Sequence, residues 1–146
     1  MTDEPDLLAE KVAAAMWAED AASAGLGMRL VSVAAGRATL EMKVAANMVN
    51  GHGIVHGGFV FTLADSAFAF ACNARNVRTV AQACDIVFVA PARIGDLLVA
   101  EAVERTSFGR NGIYDVTVRS GDALIAEFRG RSRQIGGTLI PDEGQS

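Results

Sequence analysis

Between Phe59 and Cys72 the chain reads FVFTLADSAFAFAC, an apolar run broken by one charged side chain, Asp65. As a helix it has almost no polar face, so it is expected to be wrapped on all sides by protein. It is too short and too interrupted to span a bilayer comfortably, which sets aside a transmembrane reading. An ionised carboxylate in such a place is costly unless it is paired, hydrogen-bonded or needed. Immediately before the run, Asn50-Gly51-His52-Gly53-Ile54-Val55-His56-Gly57-Gly58 is a glycine-rich loop holding both histidines of the protein. Gly57 and Gly58 at the helix start leave its first backbone N–H groups unscreened, a ready site for a developing negative charge. A buried acid and an oxyanion donor are the minimum parts for attack on an acyl carbonyl.

The rest of the chain supplies the wrapping. From Pro5 to about Ala22, Leu7, Leu8, Val12, Ala15 and Met16 recur at helical spacing, and Gly25 to Gly27 ends that amphipathic segment. Residues 28–34 and 37–44 read as a hairpin; in the second run Ala38, Leu40, Met42 and Val44 alternate with polar residues as in a half-buried strand. Beyond the central helix, residues 79–89, 97–106, 112–119 and 123–135 are strand segments separated by Gly- and Pro-bearing turns. The order predicts an α+β fold in which a highly curved antiparallel sheet closes around the central helix. The strands are long for 146 residues, and their edges must be managed, so pairing of sheets between subunits is expected. The length fits one domain, with an N-terminal helix over about 5–22, a core over about 28–136 and a short C-terminal tail.

Charge narrows the partners. The net charge is −4, and the first twenty residues are strongly acidic, with Asp3, Glu4, Asp6, Glu10, Glu19 and Asp20 against Lys11. With no net basic field and no interleaving of aromatic and basic residues, nucleic acid is not an expected partner. An acidic N-terminus is the opposite of a signal peptide, and the reading is cytoplasmic. Cys72 and Cys84 fit reduced, packed thiols. From Arg75 onward every basic residue is Arg, a side chain suited to forked contacts with phosphate or to solvated surface charge.

The stretches Asn50-Gly51-His52-Gly53, His56-Gly57-Gly58, Leu63-Ala64-Asp65, Ala67-Phe68-Ala69 and Pro91-Ala92-Arg93-Ile94-Gly95-Asp96 together resemble the hotdog-fold acyl-CoA thioesterases. Asp rather than Glu at position 65, with Asn50-Gly51-His52, is similar to the phenylacetate-degradation (PaaI-type) branch. The resemblance implies a hotdog fold and hydrolysis of an aromatic acyl-CoA, of phenylacetyl or hydroxyphenylacetyl type, to the free acid and CoA. It implies neither a metal nor a cofactor beyond the CoA of the substrate. In its terms Asp65 is the catalytic carboxylate, the Gly57 amide polarises the carbonyl, and Asn50 and His56 position water or thioester. CoA would lie along a subunit interface, and homodimers would pair into homotetramers.

Helix geometry bears on the same point from another side. If Gly57 and Asp65 share one helix they stand roughly 12 Å apart along its axis and about 80° around it, so one carbonyl cannot touch both. A site using both takes them from two antiparallel copies of the helix, giving two equivalent sites per dimer.

Other readings stand beside these. Asp65 could be a structural acid, and Gly57 and Gly58 could merely permit a turn. His52, His56 and Asp65 could ligate a metal if the histidines were helical, which the glycines argue against. His52 fits a loop-stabilising hydrogen bond. Thr62, Ser66 and Cys72 have no partner histidine, and such hydroxyls bond back to a carbonyl. The helix phenylalanines are core, with Gly58 and Phe59 candidates for the acyl wall. Gly109, Arg110 and Asn111 form a hairpin turn that could touch the pantetheine or nucleotide of CoA, and Arg93 is a weaker candidate. A hydratase or dehydratase with His56 as acid–base, or a non-catalytic acyl-CoA binder, are the rival functions.

Overall fold

Alternation in sequence becomes one-sided burial in space: along Arg37–Lys43, strand β2, the side chains of Ala38, Leu40 and Met42 are buried. The computed structural model describes residues 3–142. Its other strands are β1 (Arg29–Ala34), β3 (Thr79–Phe88), β4 (Leu97–Phe108), β5 (Asn111–Ser120) and β6 (Ala123–Gln134). They pair antiparallel in the order β1-β2-β4-β5-β6-β3, one six-stranded sheet with β1 and β3 at its edges. Helix α3 (Gly57–Cys72) packs against all six strands, as the curved sheet wrapped on a central helix requires.

The core is where α3 meets the sheet. Phe68 lies against Tyr114 and Phe128, at centroid distances of 5.5 and 5.9 Å, and Phe61 meets Phe128 at 5.4 Å. Gly130 makes room for the Phe68 ring: a Cβ there would stand 2.6 Å from it.

The N-terminal segment departs from the expected continuous helix over 5–22. Helix α1 (Glu4–Glu19) stops at Asp20, and a short α2 (Ala21–Gly25) follows. The Asp20 carboxylate accepts from the Ser23 N–H at 2.9 Å and the Ser23 hydroxyl at 2.6 Å, so it starts a new helix rather than continuing the old one. Ser23 also meets Ser66 across the helix pair at 2.8 Å, so Ser66 bonds to a neighbouring element rather than back to its own helix. Thr62 does bond back, to the Gly58 carbonyl at 2.8 Å.

The C-terminal segment is tied down as well. Asn76, in the left-handed region at φ 65°, accepts from the Leu139 and Ile140 N–H groups and donates to the Ile140 carbonyl. Its amide thereby replaces a strand neighbour for the tail.

One expectation fails in a single copy of the chain: α3 is not enclosed on every side. Gly58 is exposed, and Thr62, Asp65, Ala69 and Cys72 are only half-buried. Their spacing of four, three, four and three residues makes a continuous seam along the helix.

Candidate active site

The loop ahead of α3 is built by Asn50. Its side-chain oxygen accepts from the His52 N–H at 2.9 Å and the Ile54 N–H at 3.2 Å, while its own backbone N–H donates to the Ile54 carbonyl at 2.8 Å. Gly53 closes this turn at φ 75°, a conformation that favours glycine. Two further bonds fasten the loop: the Val55 N–H donates to the Ala92 carbonyl and the His56 N–H to the Met48 carbonyl. Ile54 also bridges Arg93, which brings the β3–β4 connection beside the start of α3. The His52 side chain is exposed, and only its backbone takes part in the turn.

His56 is the N-cap of α3, with Nδ1 accepting from the Gly58 N–H at 3.0 Å. That bond fixes the tautomer, because an Nδ1 that accepts leaves the proton on Nε2. Phe59 packs edge-on against the imidazole at 6.3 Å. With Gly58 capped, the Gly57 N–H at the first helical position has no hydrogen-bond partner among the described residues, and it carries the positive end of the helix dipole.

Two turns further along, Asp65 forms no hydrogen bond or ion pair among the described residues. Burial holds its carboxyl above the ordinary value of 3.8. Burial also raises the Cys84 thiol, on edge strand β3, and the charge of Asp65 adds to the rise of both Cys84 and Cys72. Burial, the largest cause, pushes Cys72 up to about 12, so this free thiol is no nucleophile at neutral pH.

An apolar cleft of about 360 Å³ opens beside the Gly57 amide, lined by Val55, Val60, Phe88, Pro91 and Ile125 among others. The structure therefore gathers Asn50, His56, Gly57, Gly58, Phe59 and Arg93 at the N-terminal end of α3. It places Asp65 midway along, and Gly109, Arg110 and Asn111 past the other end, beside Arg75. Among the described residues no three His, Cys, Asp or Glu side chains converge as a metal would need, and no helix is long and apolar enough to cross a membrane.

Residues 52–126 match the thioesterase superfamily. The acyl-coenzyme A thioesterase PaaI of Escherichia coli K12 is 44% identical over 126 residues, 86% of this chain and 90% of that one. The chain belongs to the thioesterase superfamily. Its reaction class is thioester hydrolysis. The fold is the hotdog fold: the structure of the E. coli PaaI protein from the phenylacetic acid degradation operon superposes with a TM-score of 0.91 at 41% identity, covering 92% of this chain and 99% of that one. A phenylacetic acid degradation protein PaaI from Thermus thermophilus is 36% identical at a TM-score of 0.77, over 80% of this chain and all of that one.

Sequence reasoning missed Phe88, whose ring lies over Gly57, and Ile125, which lines the same cleft. Both come from strands remote in sequence from the loop. Only the apolar character of those strands pointed to them, and it does not say which residue meets which.

Proposed function

We propose that the protein hydrolyses acyl-CoA thioesters, with aromatic acyl groups of phenylacetyl type as its substrates, at a site shared by two copies of the chain. The observation that carries this is the pairing of an unpartnered, half-buried carboxylate, Asp65, with an unpartnered helix-start amide, Gly57, on one helix. The thioester carbonyl would accept from the Gly57 N–H, whose dipole favours the negative charge that develops on oxygen. Asp65 would attack the carbonyl carbon, releasing the CoA thiolate and leaving an anhydride that water hydrolyses to the free acid, or would take the proton of a water that attacks in its place and displaces the CoA thiolate. The amide and acid, some 12 Å apart on one helix by its rise, meet only if α3 of a second copy lies antiparallel across the seam.

Three features support that partner. The seam from Gly58 to Cys72 is open on a helix otherwise buried. Edge strand β3 leaves unpaired backbone groups and exposes Val80, Val87 and Phe88. The Asp65 carboxylate lies near enough to Cys84, on that edge strand, for its charge to act on the thiol. A homodimer joined along β3 and α3 would cover all three, and a homotetramer would follow from pairing of dimers.

The aromatic preference draws on the apolar cleft beside Gly57 and on the E. coli relative, a protein of the phenylacetic acid degradation operon. Release of CoA thiol measured over phenylacetyl-, hydroxyphenylacetyl-, benzoyl- and straight-chain acyl-CoAs tests the reading. The expected result is the highest kcat/KM on an arylacetyl thioester; equal rates on straight-chain esters would remove the aromatic assignment, and no thiol release from any ester would remove the activity.

A further inference from the structure

Helix α3 carries two hydroxyl side chains, Thr62 and Ser66, and the structure uses them differently. The Ser23 hydroxyl donates to the Asp20 carboxylate at 2.6 Å, so in its 2.8 Å contact with Ser66 it is Ser66 that donates. Ser66 is thereby turned toward α2. Thr62 lies on the open seam with Asp65, three residues before it, and its hydroxyl donates to the Gly58 carbonyl at 2.8 Å. A carbonyl oxygen only accepts, so the single hydroxyl proton of Thr62 is committed to that bond, and its oxygen has only lone pairs left to offer.

Two side chains three residues apart on a helix share one face, with Cβ atoms about 5–6 Å apart, and helical side chains lean toward the N-terminus. Asp65 therefore leans back over Thr62. Both are half-buried, and among the described residues Asp65 has no hydrogen-bond partner. Chemistry accounts for the lack of a bond between these neighbours: an ionised carboxylate has no proton to give, and that of Thr62 is already placed. The seam thus presents two acceptors side by side, and a group that satisfies both must donate twice. At a thioester the carbonyl and the sulfur have no proton, and a pantetheine amide has one. Water has two.

We propose that Thr62 holds the attacking water for Asp65, which gives the carboxylate the part of general base. This rests on the thioesterase reading. One O–H of the water bonds to Thr62 Oγ and the other to the Asp65 carboxylate, each at about 2.8 Å, which leaves a lone pair for the carbonyl carbon. Asp65 takes the proton bonded to it as the new O–C bond forms, and the oxyanion rests on the Gly57 amide of the second copy. The C–S bond then breaks. Asp65 returns its proton to the departing thiolate, and the other water proton leaves on the carboxylic acid, which ionises in solvent. Thr62 and Asp65 come from one helix, so base and water are presented together to the amide across the seam.

The test uses the whole protein and the acyl-CoA it hydrolyses fastest. Thr62→Val, which keeps the shape and loses the oxygen, should lower kcat for hydrolysis at least about tenfold with KM within about twofold, and Thr62→Ser should recover most of the rate. The choice of nucleophile is a readout that a merely structural threonine would not move. Methanol has one O–H proton and cannot bond to Thr62 and Asp65 together, so Thr62→Val should slow hydrolysis but not methanolysis. In dilute methanol the ratio of methyl ester to free acid should therefore rise about tenfold over the wild type. Should Thr62→Val fail to fold, Thr62→Ala carries the same two measurements. In a single turnover in heavy-oxygen water, label should enter the product acid and not Asp65. Wild-type kcat in Thr62→Val, an unchanged ester-to-acid ratio, or label in Asp65 overturns the proposal and leaves the thioesterase reading in place. No thiol release by the wild type removes both.

Discussion

The Phe88 ring lies directly over Gly57, so close that a Cβ on residue 57 would stand 2.7 Å from the ring's Cζ. The contact joins edge strand β3 to the first residue of α3 and roofs the amide offered to the substrate. It also means that any side chain at 57 does two things together: it moves the ring and it crowds the N–H.

These effects separate in a Phe88→Ala background. There Gly57→Ala has space for its methyl group and keeps the amide, whereas Gly57→Pro deletes the amide at the one helical position where proline is well tolerated. His56, at φ −66° and ψ 132°, already has the extended backbone that a residue before proline requires. The expected outcome is that Gly57→Pro/Phe88→Ala turns over at least about a hundredfold more slowly than Gly57→Ala/Phe88→Ala, the usual loss for an oxyanion donor. Equal kcat values in the two double variants would show that glycine is there for the ring alone.

For Asp65, activity and stability should move in opposite directions. Asp65→Asn is nearly isosteric, and hydrolysis should fall at least about a hundredfold. Because burial raises its pKa, the folded protein holds the proton to higher pH than the unfolded chain does. Both states are protonated below 3.8, so there the residue has no effect on stability; as pH rises from 3.8 through the raised value the fold loses stability, and the loss is complete above it. Asp65→Asn should therefore raise the denaturation midpoint at neutral pH and lose that advantage toward the lowest pH the fold survives. The wild-type rate should rise with pH through the same raised value, and a flat acid limb would separate the carboxylate from the rate.

His56 has a structural part that can be subtracted. Removing the cap with His56→Ala should cost about 1 kcal/mol, and His56→Asn, whose side-chain oxygen can accept from the Gly58 N–H, should recover most of it. The rate should not recover with it, since asparagine offers no donor where the imidazole Nε2–H points. Full recovery of kcat/KM in His56→Asn would make His56 a cap and nothing more.

What the sequence disclosed follows from range. The six strands and α3 appear within a few residues of where alternation and apolar runs put them, because burial on one face writes a local period into the chain. Gly57 and Asp65 were legible for the same reason: a glycine pair before a helix and an acid inside an apolar run are local contradictions that need an explanation. Asp20 was misread as helix interior because its capping bond to Ser23 outweighs the periodicity around it. The order β1-β2-β4-β5-β6-β3 and the roof of Phe88 depend on registers between distant strands. No local period records those.

The shared site has the most demanding consequence. In a homodimer with α3 antiparallel across the two-fold axis, each site takes Gly57 and its Phe88 roof from one copy and Asp65 from the other. An Asp65→Asn subunit and a Gly57→Pro/Phe88→Ala subunit should each be nearly inactive alone. Combined, they form one site with an intact amide, roof and acid, and a second with neither amide nor acid. Purified hetero-dimers, isolated with two different affinity tags, should run at about half the wild-type rate if the sites act independently, and a statistical mixture, in which about half the dimers are hetero, should run at about a quarter. Well-folded hetero-dimers as inactive as both parents would place acid and donor within one chain, against the helical spacing of residues 57 and 65.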